Sequence, residues 1–189
     1  MRMILSDRDI KAEIATGKLK VENMSDPALQ IQPSGIDIRL GNEFRIFKSI
    51  SIPYIDPRNP VENYTESIQI EDDKPFILHP GEFVLASTKE YIGMPTHLVG
   101  ILDGRSSLGR LGVTVHTTAS GINPGWEGRI TLEVTNIGKI PIALYPGMRI
   151  AKLTFARLTS EPDIPYGKRG NEKYQKQTGL DESKLHEEF

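Results

Sequence analysis

The 189-residue chain carries 23 basic and 25 acidic side chains, a net charge of −2, 38% hydrophobic residues and no cysteine, the balance of one ordinary globular domain. Such a chain can bury roughly 70% of its unfolded surface without staples, and the missing cysteine excludes disulfides, a thiol nucleophile, iron–sulfur clusters and Cys-x-x-Cys zinc sites. The near-neutral charge offers no basic field for a nucleic acid polymer, so any phosphate ligand must be small and met by a few placed cations.

The opening Met1-Arg-Met-Ile-Leu-Ser-Asp lacks the apolar core of a signal peptide, and no stretch approaches the ~20 apolar residues of a membrane span, so a cytoplasmic protein is expected. Ser6 is a candidate helix cap, with Asp9 three residues on, Ile10 and Ile14 one turn apart, and Gly17 as the stop. From Ile36 the pattern changes to period two, with Ile36, Ile38 and Leu40 alternating against Asp37 and Arg39, followed by Phe44 and Ile46. Residues 50–74 hold Pro53, Pro57, Pro60 and many charges, which predicts a long surface excursion, an insert or a lid.

Leu78-His-Pro-Gly81 and Leu144-Tyr-Pro-Gly147 resemble each other, and each precedes an extended apolar run, Glu82 to Ser87 and Met148 to Leu153. Pro-Gly fits the centre of a type II turn, because proline fixes the first torsion and glycine accepts the positive one. Further strands are predicted at Leu98–Leu102, Val113–His116, Arg129–Thr135, Pro141–Leu144 and Arg149–Arg157. Gly and Pro make up about 16% of the chain against roughly 12% on average, as short strands and tight turns require. The expected fold is mainly β, a distorted jelly roll or β-barrel with a short N-terminal helix. The domain boundary falls at 159: residues 160–189 carry Pro162, Pro165, Gly167, Gly170 and Gly179 among basic residues and cannot pack a core alone. That tail is either a frayed terminus or a segment that orders over a ligand or a neighbouring subunit.

Three segments can carry chemistry. Asp103 to Gly112 puts Arg105, Arg110, Ser106, Ser107 and three glycines directly after an apolar strand. It suits a polyphosphate cradle and a capped surface turn equally well. It matches neither a Walker loop nor Gly-x-Gly-x-x-Gly. In Arg129–Thr135 the alternation sets Ile130, Leu132 and Val134 on one face and Thr131, Glu133 and Thr135 on the other, so Glu133 meets either water, the commoner fate of a strand carboxylate, or a polar cleft. The link from His116 to Gly128 can place backbone groups against a ligand, with Trp126 read as a packing residue. His79, His97, His116 and His186 show no metal-ligand spacing and no carboxylate partner, and there is no Gly-x-Ser-x-Gly elbow.

Together, Gln32-Pro-Ser-Gly-Ile-Asp-Ile-Arg-Leu-Gly41, Leu78-His-Pro-Gly-Glu82, Gly104-Arg-Ser-Ser-Leu-Gly-Arg110, His116-Thr-Thr-Ala119, Pro124-Gly-Trp-Glu-Gly128, Thr131-Leu-Glu133 and Lys173-Tyr-Gln-Lys-Gln-Thr-Gly179 resemble the dCTP deaminases of the dUTPase-like superfamily. The resemblance runs from Leu5 to about Gly179. It implies a homotrimer with active sites between subunits, dCTP bound with Mg²⁺ on its phosphates, and inhibition by dTTP. By matching position it implies Glu133 as general acid/base, Ser106 and the carbonyl of Ala119 holding the attacking water, and Arg110 orienting Glu133. Arg105, Ser106, Ser107, Leu108, Gly109 and Arg110 are then phosphate contacts and Asn123 approaches the sugar. Thr131, Leu132 and Glu133 meet the base, while Tyr166, Lys173 and Gln177 come from the closing tail.

The chemistry asks for such groups on its own terms. Water must lose a proton as it attacks C4 of cytosine, the ring nitrogen must gain one, and ammonia must leave; one carboxyl within about 3 Å of both can shuttle these protons. Most nucleobase deaminases use zinc held by cysteines for this step, and without cysteine the water must be activated by position and a carboxylate. The leading expectation is therefore zinc-free conversion of dCTP to dUTP and ammonia. The alternatives are a bifunctional enzyme that proceeds to dUMP and a silent nucleotide-binding jelly roll. Against dUMP stands Asn123, because related dUTPases have an aspartate there as base and an amide cannot remove that proton. Ser120 and Gly121 match neither the basic residue nor the Gly-aromatic pair that the resemblance leads one to expect after Ala119.

Overall fold

The computed structural model describes residues 4–48, 52–60, 64–115 and 118–189. Helix α1 (Asp7–Ala15) is followed by β1 (Lys20–Glu22), a single turn α2 (Pro27–Gln30), β2 (Ile31–Gln32) and the long β3 (Gly35–Phe47). Next come β4 (Thr65–Gln69), β5 (Phe76–Leu78), β6 (Phe83–Gly93), β7 (Leu98–Gly104), a turn α3 (Ser106–Gly109) and β8 (Val113–Val115). The chain continues through β9 (Gly121–Ile122), β10 (Glu127–Asn136), β11 (Ile142–Leu144) and β12 (Arg149–Arg157), and a 3₁₀ turn at Leu185–Glu188 ends it. His116, the expected end of β8 and start of one family block, lies outside the described residues.

Ten strands form one antiparallel, curled half-barrel sheet in the order β8-β10-β6-β3-β12-β7-β9, with β1 on β6 and β2 and β4 on β3. β3 serves two halves of this sheet. Its first residues, Ile36 to Arg39, pair with β12, and a register shift after Leu40 turns its second half onto β6 and β4. The expected mainly-β architecture with one short N-terminal helix is what forms. Ile36, Ile38, Leu40, Phe44, Val84, Leu132, Val134, Leu153 and Phe155 are all fully buried inside the curl, as their alternation requires.

The two Pro-Gly segments are structural equivalents. Glu82 N donates to His79 O and Met148 N to Tyr145 O, closing turns in which Gly81 and Gly147 take φ of 77° and 84°, torsions that a side chain would strain. The strands that lead into them, β5 and β11, pair in a separate two-stranded sheet. Phe76 stacks on Phe44, ring centroids 4.4 Å apart, and fixes that small sheet to the large one.

Ser6 does occupy the N-cap of α1, but its hydroxyl donates to Asp9 at 3.3 Å instead of capping the backbone. The excursion contains more order than its composition suggests. Residues 65–69 form β4, an edge strand on β3 running from Phe47↔Thr65 to Glu43↔Gln69. His97 has a carboxylate partner after all: Glu13, buried on α1, lies 3.1 Å from its Nε2 and 3.0 Å from Arg157. Burial alone would raise the Glu13 pKa, but the hydrogen bonds and charges of His97 and Arg157 outweigh it and hold the carboxyl below its ordinary value.

Candidate active site

β10 sets out the centre of the site. Its core face is Ile130, Leu132 and Val134, and its register with β6 places Thr131 opposite Ser87 and Glu133 opposite Leu85 on the other face. That face does not open to bulk water. It forms the wall of a cavity of about 530 Å³ shared by Glu133, Thr131, Ala119, Ile122, Trp126 and Gln177. Residues of the excursion, Ile55 and Pro57, close one side, and Tyr174 and Asp181 of the tail close another. Glu133 is partly exposed there, and its Oε2 accepts a hydrogen bond of 2.7 Å from the Thr118 hydroxyl. Leu132 turns its side chain into the core, so it offers a ligand only its backbone.

The tail is tied to this face mainly through its backbone. Arg129 N donates to Gln177 O and Lys176 N to Glu127 O, both at 2.8 Å, and the Trp126 indole N–H donates to Tyr174 O at 2.8 Å. Gly128 and Gln177 form a parallel bridge. A Cβ on Gly128 would stand 2.9 Å from the Trp126 ring and 3.0 Å from Gln177 O at a φ of 156°, so glycine is what lets the tail come so close. The buried Gln177 side chain donates to Thr131 Oγ1 and, at 2.9 Å, to Gly179 O. Leu180 buries itself at the end of this run. Glu182 then pairs with Arg45 at 2.5 Å.

An adjoining cleft of about 460 Å³ holds Asn123, Tyr166 and Lys173, and Tyr174 borders both spaces. Lys173 is paired with Glu188. A tight turn shapes the rim: the Glu172 carboxylate accepts the backbone N–H groups of Arg169 and Gly170. Desolvation raises the Glu172 pKa, but these N–H groups prevail and keep it below the ordinary carboxyl value.

The arginine–serine loop stands apart. None of Arg105, Ser106, Ser107, Leu108, Gly109 and Arg110 lines either cavity. Leu108 anchors α3 in the core while Ser106, Ser107 and Arg110 are exposed, and Arg110 has no ion-pair partner among the described residues. One chain thus brings Glu133, Thr131, Ala119 and Gln177 together, sets Asn123, Tyr166 and Lys173 beside them, and leaves Arg105 to Arg110 elsewhere. Sequence reasoning missed Thr118 and Tyr174 as contributors, although both sit inside quoted family blocks, and it took Trp126 for packing alone. Among the described residues no group of three or more His, Asp or Glu side chains is placed to hold a metal ion. No described helix is long and apolar enough to cross a membrane.

The curled antiparallel half-barrel is a dUTPase-like fold. The model of the dCTP deaminase-like family matches residues 4–158, and the chain belongs to that family. It is 50% identical over 98% of its length to a protein of Methanosphaera stadtmanae named dCTP deaminase, dUMP-forming, 95% of which is covered. It is 49% identical over 97% of its length to a Haloarcula marismortui protein named dCTP deaminase, 95% of which is covered. Among solved structures, the 2′-deoxycytidine 5′-triphosphate deaminase of Agrobacterium tumefaciens superposes on 83% of the chain with a TM-score of 0.65 and 25% identity. The chain spans about half, 49%, of that longer protein.

Proposed function

We propose that this chain deaminates dCTP and carries the product on to dUMP. The observation that carries the reading is half-identity over nearly the whole chain to the Methanosphaera protein whose name specifies dUMP as product. It favours dUMP over the expected release of dUTP, and the Haloarcula name keeps that outcome as the second reading.

In the first step Glu133 takes a proton from the water attacking C4 and delivers it to the ring nitrogen; it then carries the proton of the new C4 hydroxyl to the amino group, so that the C4–N bond breaks, ammonia leaves and the C4 carbonyl forms. Thr118 steadies the carboxylate, and the apolar walls at Ile122, Ile130 and Trp126 exclude competing water from the base. Ser106, the Ala119 carbonyl and Arg110 serve the same water and carboxylate. Ala119 lines the same cavity as Glu133, whereas α3 does not reach it, so a neighbouring copy in a homotrimer supplies Ser106 and Arg110. Asn123 meets the sugar, and Arg105 to Arg110, Tyr166 and Lys173 take the triphosphate, which brings its own Mg²⁺ as part of the substrate. In the second step water attacks the α-phosphorus and gives up its proton to solvent, since Asn123 cannot accept it, and the bond from that phosphorus to the oxygen bridging the β-phosphate breaks so that pyrophosphate departs. dTTP, which shares sugar and phosphates with the substrate, is the expected inhibitor.

Incubation with dCTP and Mg²⁺, with ammonia, dUTP, dUMP and pyrophosphate all quantified, tests this. Ammonia and pyrophosphate should appear in equal amounts with dUMP as end product. Accumulating dUTP without pyrophosphate would establish the second reading, and absence of ammonia would defeat both.

A further inference from the structure

Asp37 is a buried acid in β3, its side chain 5% exposed, at a position where an apolar residue would cost less. Its Oδ2 lies 3.0 Å from Arg149 Nη1 and 3.3 Å from Arg105 Nη2. The register explains the meeting. β12 runs between β3 and β7 and sets Lys152 opposite both Asp37 and Asp103, so Asp37 looks across one strand toward the end of β7, from which Arg105 emerges.

Arg105 gives one Nη to Asp37 and the other to the carbonyl of Arg149 at 3.1 Å, and it keeps its remaining N–H groups at a surface 29% exposed. Arg149 divides its Nη1 between Asp37 and, at 3.4 Å, the carbonyl of Leu29. Two guanidinium groups against one carboxylate leave a surplus positive charge at the head of the Ser106–Gly109 turn. A carboxylate whose only task was to neutralise Arg149 would not need Arg105.

We propose that Asp37 is a positioning residue for phosphate binding: with Arg149 it fixes the Arg105 guanidinium beside α3 before the nucleotide arrives. An arginine ordered in advance loses little rotamer freedom on binding, and its planar donors already point one way. The proposal rests on the reading that Arg105 contacts the triphosphate.

Inorganic tripolyphosphate, titrated calorimetrically into the full-length protein, tests it without turnover. Asp37→Asn should weaken binding by about tenfold and Arg105→Ala by a similar factor, while the double variant should bind no worse than Arg105→Ala, because Asp37 acts only through Arg105. Additive losses, an unchanged Asp37→Asn, or a wild-type protein that ignores tripolyphosphate would each overturn the proposal. If Asp37→Asn fails to fold, nitrogen relaxation of the wild-type arginine side chains decides: Arg105 should be rigid without ligand and the exposed Arg8 mobile, and an equally mobile Arg105 refutes positioning. A wild type that binds tripolyphosphate but leaves dCTP untouched defeats the proposed activity alone.

Discussion

Replacing Glu133 with glutamine separates proton transfer from everything else the residue does. The side chain is partly exposed at a cavity wall, and among the described residues its Oε2 accepts a hydrogen bond from Thr118 at 2.7 Å. A glutamine carbonyl accepts that bond equally well, and the volume is unchanged, so neither packing nor the neighbouring Thr131–Gln177 contact is disturbed. What disappears is the ability to take a proton from water and return it to the ring. Removal of a general acid/base typically costs ~10²–10⁴ in rate, equivalent to about 3–6 kcal/mol in the barrier at about 1.4 kcal/mol per decade. Glu133→Gln should therefore bind dCTP within about threefold of wild type in equilibrium titration, melt within a few degrees of it, and lose at least ~10² in kcat for ammonia release. Turnover within tenfold of wild type would refute Glu133 as the proton carrier. A rate loss matched by an equal loss of dCTP affinity would show that it binds the base instead.

Light scattering should give a trimer, because Arg110 and Ser106 need a second chain's Glu133 cavity; an active monomer refutes the shared site. Asn123→Asp should raise pyrophosphate release from added dUTP at least severalfold at unchanged ammonia release from dCTP, since it adds a proton acceptor; no change would place Asn123 away from the α-phosphate chemistry. Glu13, held below the ordinary value of 4.5 by His97 and Arg157, stabilises the fold above that pH, and the benefit is lost as pH falls through its lowered folded-state pKa. The urea-unfolding gap between wild type and Glu13→Gln should be about 1–2 kcal/mol at pH 7 and close in acid; a pH-independent gap would count against the ion contact. Trypsin cleavage after Lys168, Arg169 or Lys173 should slow with a non-hydrolysed dCTP analogue and Mg²⁺, and identical rates would separate the tail from the site.

The strands that alternate cleanly were legible, and for a physical reason. Ile36, Ile38 and Leu40, or the run from Arg149 to Arg157, face a single core on one side, so burial writes a period of two into the sequence. β4 was hidden because Thr-Glu-Ser-Ile-Gln is an edge strand with little apolar content: its register comes from hydrogen bonds to β3, which leave no mark on side-chain type. The buried polar residues were equally hidden. Glu90 is fully buried because Arg39 and Gln30 meet it at 2.7 and 2.8 Å, and Glu13 because His97, 84 residues away in sequence, reaches it. Such pairs depend on which strands become neighbours, a property of topology and not of any local window.

The site divides along the same line. Alternation put Glu133 and Thr131 on one face, but whether that face met water or a cleft depended on what covers it, and the cover consists of a tail with too little apolar surface to be recognised as part of a fold. Its attachment runs through backbone groups of Tyr174, Lys176 and Gln177 onto Trp126, Glu127 and Arg129, and backbone hydrogen bonds are open to almost any sequence. The glycine at 128 is the local trace of that approach, visible only once the clash of a Cβ with Gln177 is measured. On the proposed reading the arginine–serine loop is hidden one level further: its exposed Arg110 looks like surface in one chain because the carboxylate it serves belongs to the next. An exposed arginine beside exposed serines, on a turn anchored by a buried leucine, is then the form that half of a shared site takes within a single subunit. By this logic Arg110→Ala should leave the monomer's stability unchanged while ammonia release falls by at least ~10², and mixing it with Glu133→Gln should restore activity at the interfaces that pair two intact halves. Failure of the mixed trimers to regain any turnover would place Arg110 and Glu133 in the same chain's site, or Arg110 outside it.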